Sequence, residues 1–185
     1  HLADRLVALK LSVRGSREPQ TLARLQHTNI VPVHSHSVDP ETELHVLCMP
    51  YFGRVTLAQV LTEVGRTAGD DAPTGFTLVE TLDRLDPSDG PPSGPSTGRR
   101  ALSERTFAQA VAWWGARLAE ALGHAHDRGV LHRDVKPSNV LIAGDGAPML
   151  LDFNLAHESI VEDDRDRAAA NLGGTVDYMA PEHLE

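Results

Sequence analysis

Two short stretches of the sequence carry polar residues whose types and spacing could do chemistry. The first, VLHRDVKPSNVLI (residues 130–142), sets five polar side chains between two apolar runs: His132, Arg133, Asp134, Lys136 and Asn139. The second, LLDFNLA (residues 150–156), places an acid, Asp152, after another apolar pair. Carboxylate, amide and ammonium groups held in this way favour a site that binds a charged ligand together with a metal ion.

The residues that precede these stretches favour a small β-rich part. We expect strands at LVALKLS (6–12), IVPVHSHSV (30–38) and ELHVLCMPY (43–51), because these segments are rich in β-branched and aliphatic residues and are separated by turn formers. A short helix is expected at PQTLARLQ (19–26).

Helices are expected to dominate the middle of the chain. TLAQVLTEV (56–64) favours a short helix, whereas the Gly, Pro, Ser and Asp content of residues 65–100 predicts a flexible insert without a packed core. Ser103 is expected to cap a long helix that Gly129 ends. Its core-facing residues recur at helical spacing: Phe107, Val111, Trp114, Leu118 and Leu122.

Composition excludes several classes of partner. A net charge of -9 and the scarcity of basic clusters argue against binding to nucleic acid. A single cysteine, Cys48, lies in an apolar run and favours a reducing, cytoplasmic compartment. The apolar runs are far shorter than the roughly 20 residues of a membrane helix, although a longer parent chain could be membrane-tethered. Because the chain begins at His1, we expect it to be a segment of such a longer chain.

Two histidine pairs invite a metal interpretation. His34-x-His36 and His124-x-His126 each lack a third ligand nearby in the sequence, and alternate residues of a helix do not share a face. We therefore expect no metal site built from histidine or cysteine.

Four motifs, in order, resemble those of the eukaryotic-type protein kinase family, serine/threonine branch: VALK at 7–10, HRDVKPSN at 132–139, DFN at 152–154 and APE at 180–182. The richness in Arg and Ala is compatible with a bacterial source. The resemblance implies an α+β, two-lobed kinase-like fold, present in part. A small lobe and hinge would occupy residues 1–53, without the first strands. A large helical lobe would occupy residues 54–185, ending after the activation segment, and we expect residues 1–185 to be inactive alone.

The resemblance also implies a reaction and its residues. The protein would transfer the γ-phosphoryl group of ATP to serine or threonine hydroxyls of a protein substrate. Asp134 would orient the attacking hydroxyl and take its proton, and Lys136 would neutralise charge on the transferred group. Lys10 would hold the α- and β-phosphates and pair with Glu18. The oxygen ligands of Mg²⁺ would be Asn139 and Asp152.

The family pattern further implies where adenine would bind. CMPYFG resembles the hinge, with Met49 as gatekeeper, Pro50 offering a carbonyl and Phe52 donating an N–H. Ala8 and Leu141 would lie on either side of the purine. A stack of side chains would link the lobes: Leu22, Val33, His132 and Phe153.

Some residues bear on whether the enzyme is active. Lys136 and the segment GTVDYMAPE (174–182) match kinases with serine or threonine acceptors, and Thr175 would bond both Asp134 and Lys136. Asn154 stands where the family has Gly, and the link from Lys10 to Glu18 is short. These departures leave an alternative open, a nucleotide-binding pseudokinase that acts as a regulatory scaffold.

Overall fold

The elements follow the order that the sequence pattern favours, with two further helices in the middle of the chain. The computed structural model describes residues 6–13, 22, 24–67, 72–87, 97–153 and 175–183. Its elements are strands β1 (Val7–Ser12), β2 (Ser35–Val38) and β3 (His45–Pro50), helices α1 (Leu57–Thr67), α2 (Gly75–Leu85), α3 (Thr97–Ser103) and α4 (Phe107–His126), and strands β4 (Val140–Ile142) and β5 (Pro148–Leu150). Short 3₁₀ turns lie at Pro137–Asn139, Val176–Tyr178 and Pro181–His183.

The chain divides into two compact units. Unit 1 consists of His1–Tyr51, Leu122–Lys136 and Asp152–Glu185, and unit 2 of Phe52–Ala121 and Pro137–Leu151. Antiparallel strands and helices together confirm the expected α+β class. The division into lobes at residue 53 stays a prediction.

Unit 1 contains a three-stranded antiparallel sheet in which β3 lies between β1 and β2. The register pairs Lys10 with Leu47 and Ala8 with Met49. Side chains alternate between the two faces of a strand. In β1 the face that carries Ala8 and Lys10 is half-buried, whereas Leu9 on the opposite face is exposed. The sheet therefore holds the Lys10 side chain on its half-buried face.

Helix α4 ends in a hydrogen-bond pattern that requires glycine. Gly129 has a φ of 71°, in the left-handed region. Its N–H donates to the carbonyl of His126 (2.9 Å), and the N–H of Val130 donates to the carbonyl of Ala125 (3.0 Å). These two bonds form a Schellman motif, so the predicted stop at Gly129 is confirmed. The chain leaves this turn directly into the stretch that contains Asp134.

In unit 2 a buried tryptophan anchors the β4–β5 hairpin. The indole N–H of Trp114 donates to the carbonyl of Gly146 (2.9 Å) in the turn between the strands, and its side chain is almost fully buried. Because a buried indole N–H needs an acceptor, this bond fixes the hairpin turn against α4.

The expectation that residues 65–100 contain no packed structure is wrong for helix α2. Leu78 and Leu82 of this helix are buried. The side chain of Thr74 accepts from the N–H of Thr77, and the hydroxyl of Thr77 accepts from the N–H of Thr74, which closes a capping box. The helix was missed because the prediction used the average composition of the whole segment. Within it, the stretch GFTLVETLDRL has its apolar residues spaced so that they lie on one face of a helix.

The start and the buried face of α4 also differ from the prediction. Ser103 ends α3, and its hydroxyl donates to the carbonyl of Arg100 (2.8 Å). Thr106 caps α4 instead, since its hydroxyl accepts from the N–H of Gln109 (3.2 Å). Val111 is exposed. The buried positions of the helix are Ala110, Trp114, Ala121 and Ala125.

Two further expectations are only partly tested. Half of the helix predicted at residues 19–26 lies outside the described residues. Of the strand predicted at residues 30–38, only Ser35–Val38 is extended in the sheet, and Ile30 forms an isolated bridge.

Candidate active site

Two segments of unit 1, the one that follows α4 and the one that contains Asp152 and Phe153, have strained backbone and buried rings that contact each other. Arg133 and Asp152 have positive φ angles, 65° and 52°, which non-glycine residues rarely adopt and which cluster at functional sites. His132 is 2% exposed, and its ring lies 4.7 Å from that of Phe153, centroid to centroid. The N–H of Asp134 donates to His132 Nδ1 (3.4 Å). The buried His132 and Phe153 thus support the backbone on which Asp134 and Asp152 stand.

Asp134, Lys136 and Thr175 form a closed triangle of polar contacts. The Thr175 hydroxyl donates to Asp134 Oδ1 (3.0 Å), and Lys136 Nζ donates to the Thr175 hydroxyl oxygen (2.6 Å). Lys136 Nζ is also 2.8 Å from Asp134 Oδ2. The side chain of Asp134 is only 10% exposed. The predicted contact of Thr175 with both residues is therefore present, and the carboxylate is fixed by partners at both of its oxygens.

A second ion pair joins the first strand to the DFN segment. Lys10 Nζ lies 2.7 Å from Asp152 Oδ1, with side chains 33% and 45% exposed. The pattern of motifs placed these two residues at one site but gave no signal for direct contact between them. The ammonium therefore lies against the carboxylate that was predicted to bind metal.

Asn139 occupies a defined place in unit 2. It ends the 3₁₀ turn Pro137–Asn139, immediately before β4, and is 9% exposed. Its backbone carbonyl accepts a hydrogen bond from the N–H of Leu151 (2.9 Å), the residue directly after β5. The β4–β5 hairpin therefore fixes the main chain of Asn139 at the start of a buried strand.

The residues predicted to hold adenine are divided between the units. In unit 1, Ala8 lies opposite Met49, and Pro50 lies opposite Val7 of β1. In unit 2, Leu141 is buried within β4, and the carbonyl of Phe52 accepts from the N–H of Gly144 (3.0 Å). The structure brings Ala8 and Met49 together, and the adenine-binding roles stay predictions.

Some predicted residues cannot be placed. Glu18, the expected partner of Lys10, and Asn154, the variant position of DFN, lie outside the described residues. Of the predicted stack, Leu22, His132 and Phe153 are buried and Val33 is half-buried.

Two features are absent from the described part of the chain. Among its residues, no group of three or more His, Cys, Asp or Glu side chains is gathered so as to hold a metal ion. Nor does any helix in the described ranges have the length and apolar character to cross a bilayer.

Comparison with known proteins gives consistent matches. Residues 97–185 match the family described as the protein kinase domain. The DNA damage-responsive serine/threonine-protein kinase RqkA of Deinococcus radiodurans is 32% identical over 172 residues, which are 93% of this chain and 20% of RqkA. Serine/threonine-protein kinase PknH of Mycobacterium bovis is 32% identical over 171 residues, 92% of this chain and 22% of PknH. Ribosomal protein S6 kinase alpha-3 of Mus musculus is 46% identical over 72 residues, 39% of this chain and 9% of that protein. The chain therefore spans about a fifth or less of the length of these relatives.

Proposed function

Because the chain belongs to the protein kinase family, in its serine/threonine branch, we propose that the protein transfers the γ-phosphoryl group of MgATP to serine and threonine hydroxyls of protein substrates. The observation that carries this proposal is the triangle of Asp134, Lys136 and Thr175. Phosphoryl transfer asks the protein for little covalent chemistry and much placement of charge. A carboxylate and an ammonium group fixed 2.8 Å apart supply such placement.

Asp134 is the proposed catalytic carboxylate. It orients the substrate hydroxyl and accepts its proton while the hydroxyl oxygen forms a bond to the γ-phosphorus and the bond to the leaving ADP breaks. The bond from Thr175 and the contact with Lys136 hold the carboxylate in one orientation, so it need not reorganise during the reaction. Lys136, half-buried beside it, offsets the negative charge on the transferred group.

Members of the family use ATP and a divalent metal, and we propose Mg²⁺ with Asn139 and Asp152 as its protein ligands. Their donors are amide and carboxylate oxygens, which suit this hard cation. Asp152 already accommodates a cation, since the Lys10 ammonium lies 2.7 Å from its carboxylate. When bound, Mg²⁺ neutralises charge on the phosphate oxygens. Lys10 would bind the α- and β-phosphates with Glu18 as its further partner.

The adenine would be held at the end of β3 and the residues that follow. Pro50 can offer only a carbonyl and Phe52 an N–H, while Ala8 and Leu141 supply apolar contacts to the two faces of the purine. The register that sets Ala8 opposite Met49 supports this part of the proposal.

The names of the relatives do not favour the pseudokinase alternative, since they are serine/threonine-protein kinases. We place the catalytic part in the cytoplasm, where ATP is available, in agreement with the free Cys48. The net charge of -9 supports a protein partner rather than nucleic acid.

The test is transfer of label from γ-labelled MgATP to a basic test protein and to the kinase itself, followed by analysis of the labelled amino acids. The full-length protein is compared with its Asp134→Asn variant and with Asp127→Asn, a matched loss of one charge at an exposed position after α4. We expect phosphoserine or phosphothreonine from the wild type and Asp127→Asn, and a loss in Asp134→Asn. Absence of transfer by a wild type that binds MgATP would reject the proposal and favour the scaffold function.

A further inference from the structure

We propose a second cation site, formed by His36 and His45. Nε2 of His36 and Nδ1 of His45 are 3.0 Å apart, their ring centroids are 5.3 Å apart, and the ring planes differ by 17°. Both side chains are half-buried. The ligand is a divalent transition-metal cation that binds imidazole nitrogen, with Cu²⁺ and Ni²⁺ preferred to Zn²⁺.

The sheet register brings the two histidines together although eight residues lie between them in the sequence. His36 in β2 pairs with Leu47, and His45 in β3 pairs with Val38. Residues directly opposite in an antiparallel pair share a face, as do alternate residues of one strand, so both imidazoles lie on the same face as diagonal neighbours. A cation bound by both would cross-link edge strand β2 to central strand β3.

The separation of the two nitrogens fits one cation with two cis ligands. Metal to imidazole nitrogen distances are about 2.0–2.1 Å. Two nitrogens 3.0 Å apart therefore subtend about 91–97° at the metal. This angle is typical of neighbouring positions in square-planar and octahedral sites and is narrower than the tetrahedral angle, which is the reason for the preference for Cu²⁺ and Ni²⁺ over Zn²⁺.

Proton balance permits the exchange of the hydrogen bond for a metal. In the hydrogen-bonded pair one neutral ring donates and the other accepts. In the metal-bound pair the protons sit on Nδ1 of His36 and Nε2 of His45, so the ring that donated the hydrogen bond moves its proton to its other nitrogen and no proton is released overall. Each ring has to turn about χ2, a broad torsion in histidine, to aim its lone pair at the cation. Since the described residues hold no cluster of three or more ligand side chains, water completes the coordination.

The proposal departs from the expectation that no metal site is built from histidine. That expectation considered only neighbours in the sequence, such as His34 for His36. The cross-strand partner of His36 is His45, and no spacing in the sequence predicts the contact.

The test is calorimetric titration of the full-length protein with NiCl₂ in excess Mg²⁺, which occupies carboxylate sites. The variants are His36→Asn and His45→Asn, with His34→Asn as the matched control. Outer-sphere partners of metal ligands are alone worth about 10–100-fold in affinity, so loss of a ligand should weaken this Ni²⁺ site at least tenfold. We expect that loss in both paired variants and wild-type affinity in His34→Asn.

Thermal unfolding gives an independent readout that does not depend on kinase activity. Ni²⁺ should raise the Tm of the wild type and of His34→Asn, because a ligand that binds the folded state stabilises it, and should raise that of His36→Asn less. Circular dichroism of the metal-free variants checks that they fold. Equal Ni²⁺ affinity in the wild type and both paired variants, or loss of the site in His34→Asn, would overturn the proposal.

Discussion

The hydroxyl of Thr175 donates a hydrogen bond to Asp134 Oδ1 over 3.0 Å, although the two residues are 41 positions apart in the sequence. The same hydroxyl accepts from Lys136 over 2.6 Å. One small side chain therefore connects the proposed catalytic carboxylate to the lysine beside it. The contact links the segment after α4 to the segment that precedes APE.

Replacing Thr175 tests this connection. Thr175→Val has nearly the same shape but loses both hydrogen bonds, so Asp134 and Lys136 lose their common partner. We expect kcat to fall by about 10²-fold, the cost of slight misplacement of catalytic groups, with little change in KM for ATP. Thr175→Ser keeps the hydroxyl and should retain most of the activity. Equal kcat in the Val and Ser variants would show that the hydroxyl plays no part.

The pair of Lys10 and Asp152 should contribute to function far more than to stability. Its side chains are 33% and 45% exposed, and exposed ion pairs contribute at most about 1 kcal/mol. Lys10→Met should therefore leave the free energy of unfolding within about 1 kcal/mol of the wild type. Phosphoryl transfer should fall by about 10²–10³-fold, as for the loss of one electrostatic group at a reacting centre. Urea unfolding and label transfer, measured on the same preparation, separate the two effects. A large loss of stability with near-normal transfer would contradict the assignment.

What the sequence could predict depended on how local each signal was. The strand around Lys10 and the end of α4 at Gly129 follow from short patterns with strong local causes, and the predicted contacts of Thr175 are present. Helix α2 was missed because the composition of a long Gly- and Pro-rich segment outweighed one short amphipathic stretch. The direct contact of Lys10 with Asp152 is a long-range result of folding, for which no local pattern exists.

Gly75, the first residue of α2, is expected not to tolerate replacement by a residue with a side chain. A Cβ added there would clash with the backbone carbonyl oxygen of Leu102 and would lie 2.7 Å from that of Arg105. Gly75→Ala should therefore destabilise the protein by about 1–3 kcal/mol, the usual cost of overpacking. Gly115→Ala is the matched control, because it lies within α4 and, apart from the neighbouring backbone of its own helix, no atom of the described residues lies within 4 Å of the added atom. That control should stabilise by about 0.5–1 kcal/mol. Equal unfolding midpoints of the two variants would refute the close approach.

Glu63 predicts an acid-dependent contribution to stability. Hydrogen bonds from Arg66 and Arg84 lower the pKa of Glu63 from 4.5 to about 2. Since the folded state lowers this pKa, the contribution is complete above the unfolded value of 4.5 and is lost as the pH falls through about 2. The difference in unfolding free energy between the wild type and Glu63→Gln should therefore be constant near neutrality and shrink from about pH 4.5 downwards.

The control for Glu63 is Glu120→Gln, which breaks an exposed pair with Arg117 on α4. It should change stability by less than about 1 kcal/mol. Chemical denaturation at a series of pH values measures both variants. A difference between the wild type and Glu63→Gln that does not change between pH 7 and pH 2 would contradict the predicted role of the two arginines.

The most direct test of the catalytic assignment is single-turnover transfer of the γ-phosphoryl group by the full-length protein at saturating MgATP, measured beside the affinity for the nucleotide. Asp134→Asn is expected to slow transfer by about 10²–10⁴-fold, the usual contribution of a positioned proton acceptor, while the Kd for MgATP stays close to that of the wild type. A transfer rate in Asp134→Asn equal to that of the wild type would show that this carboxylate is not the catalytic group.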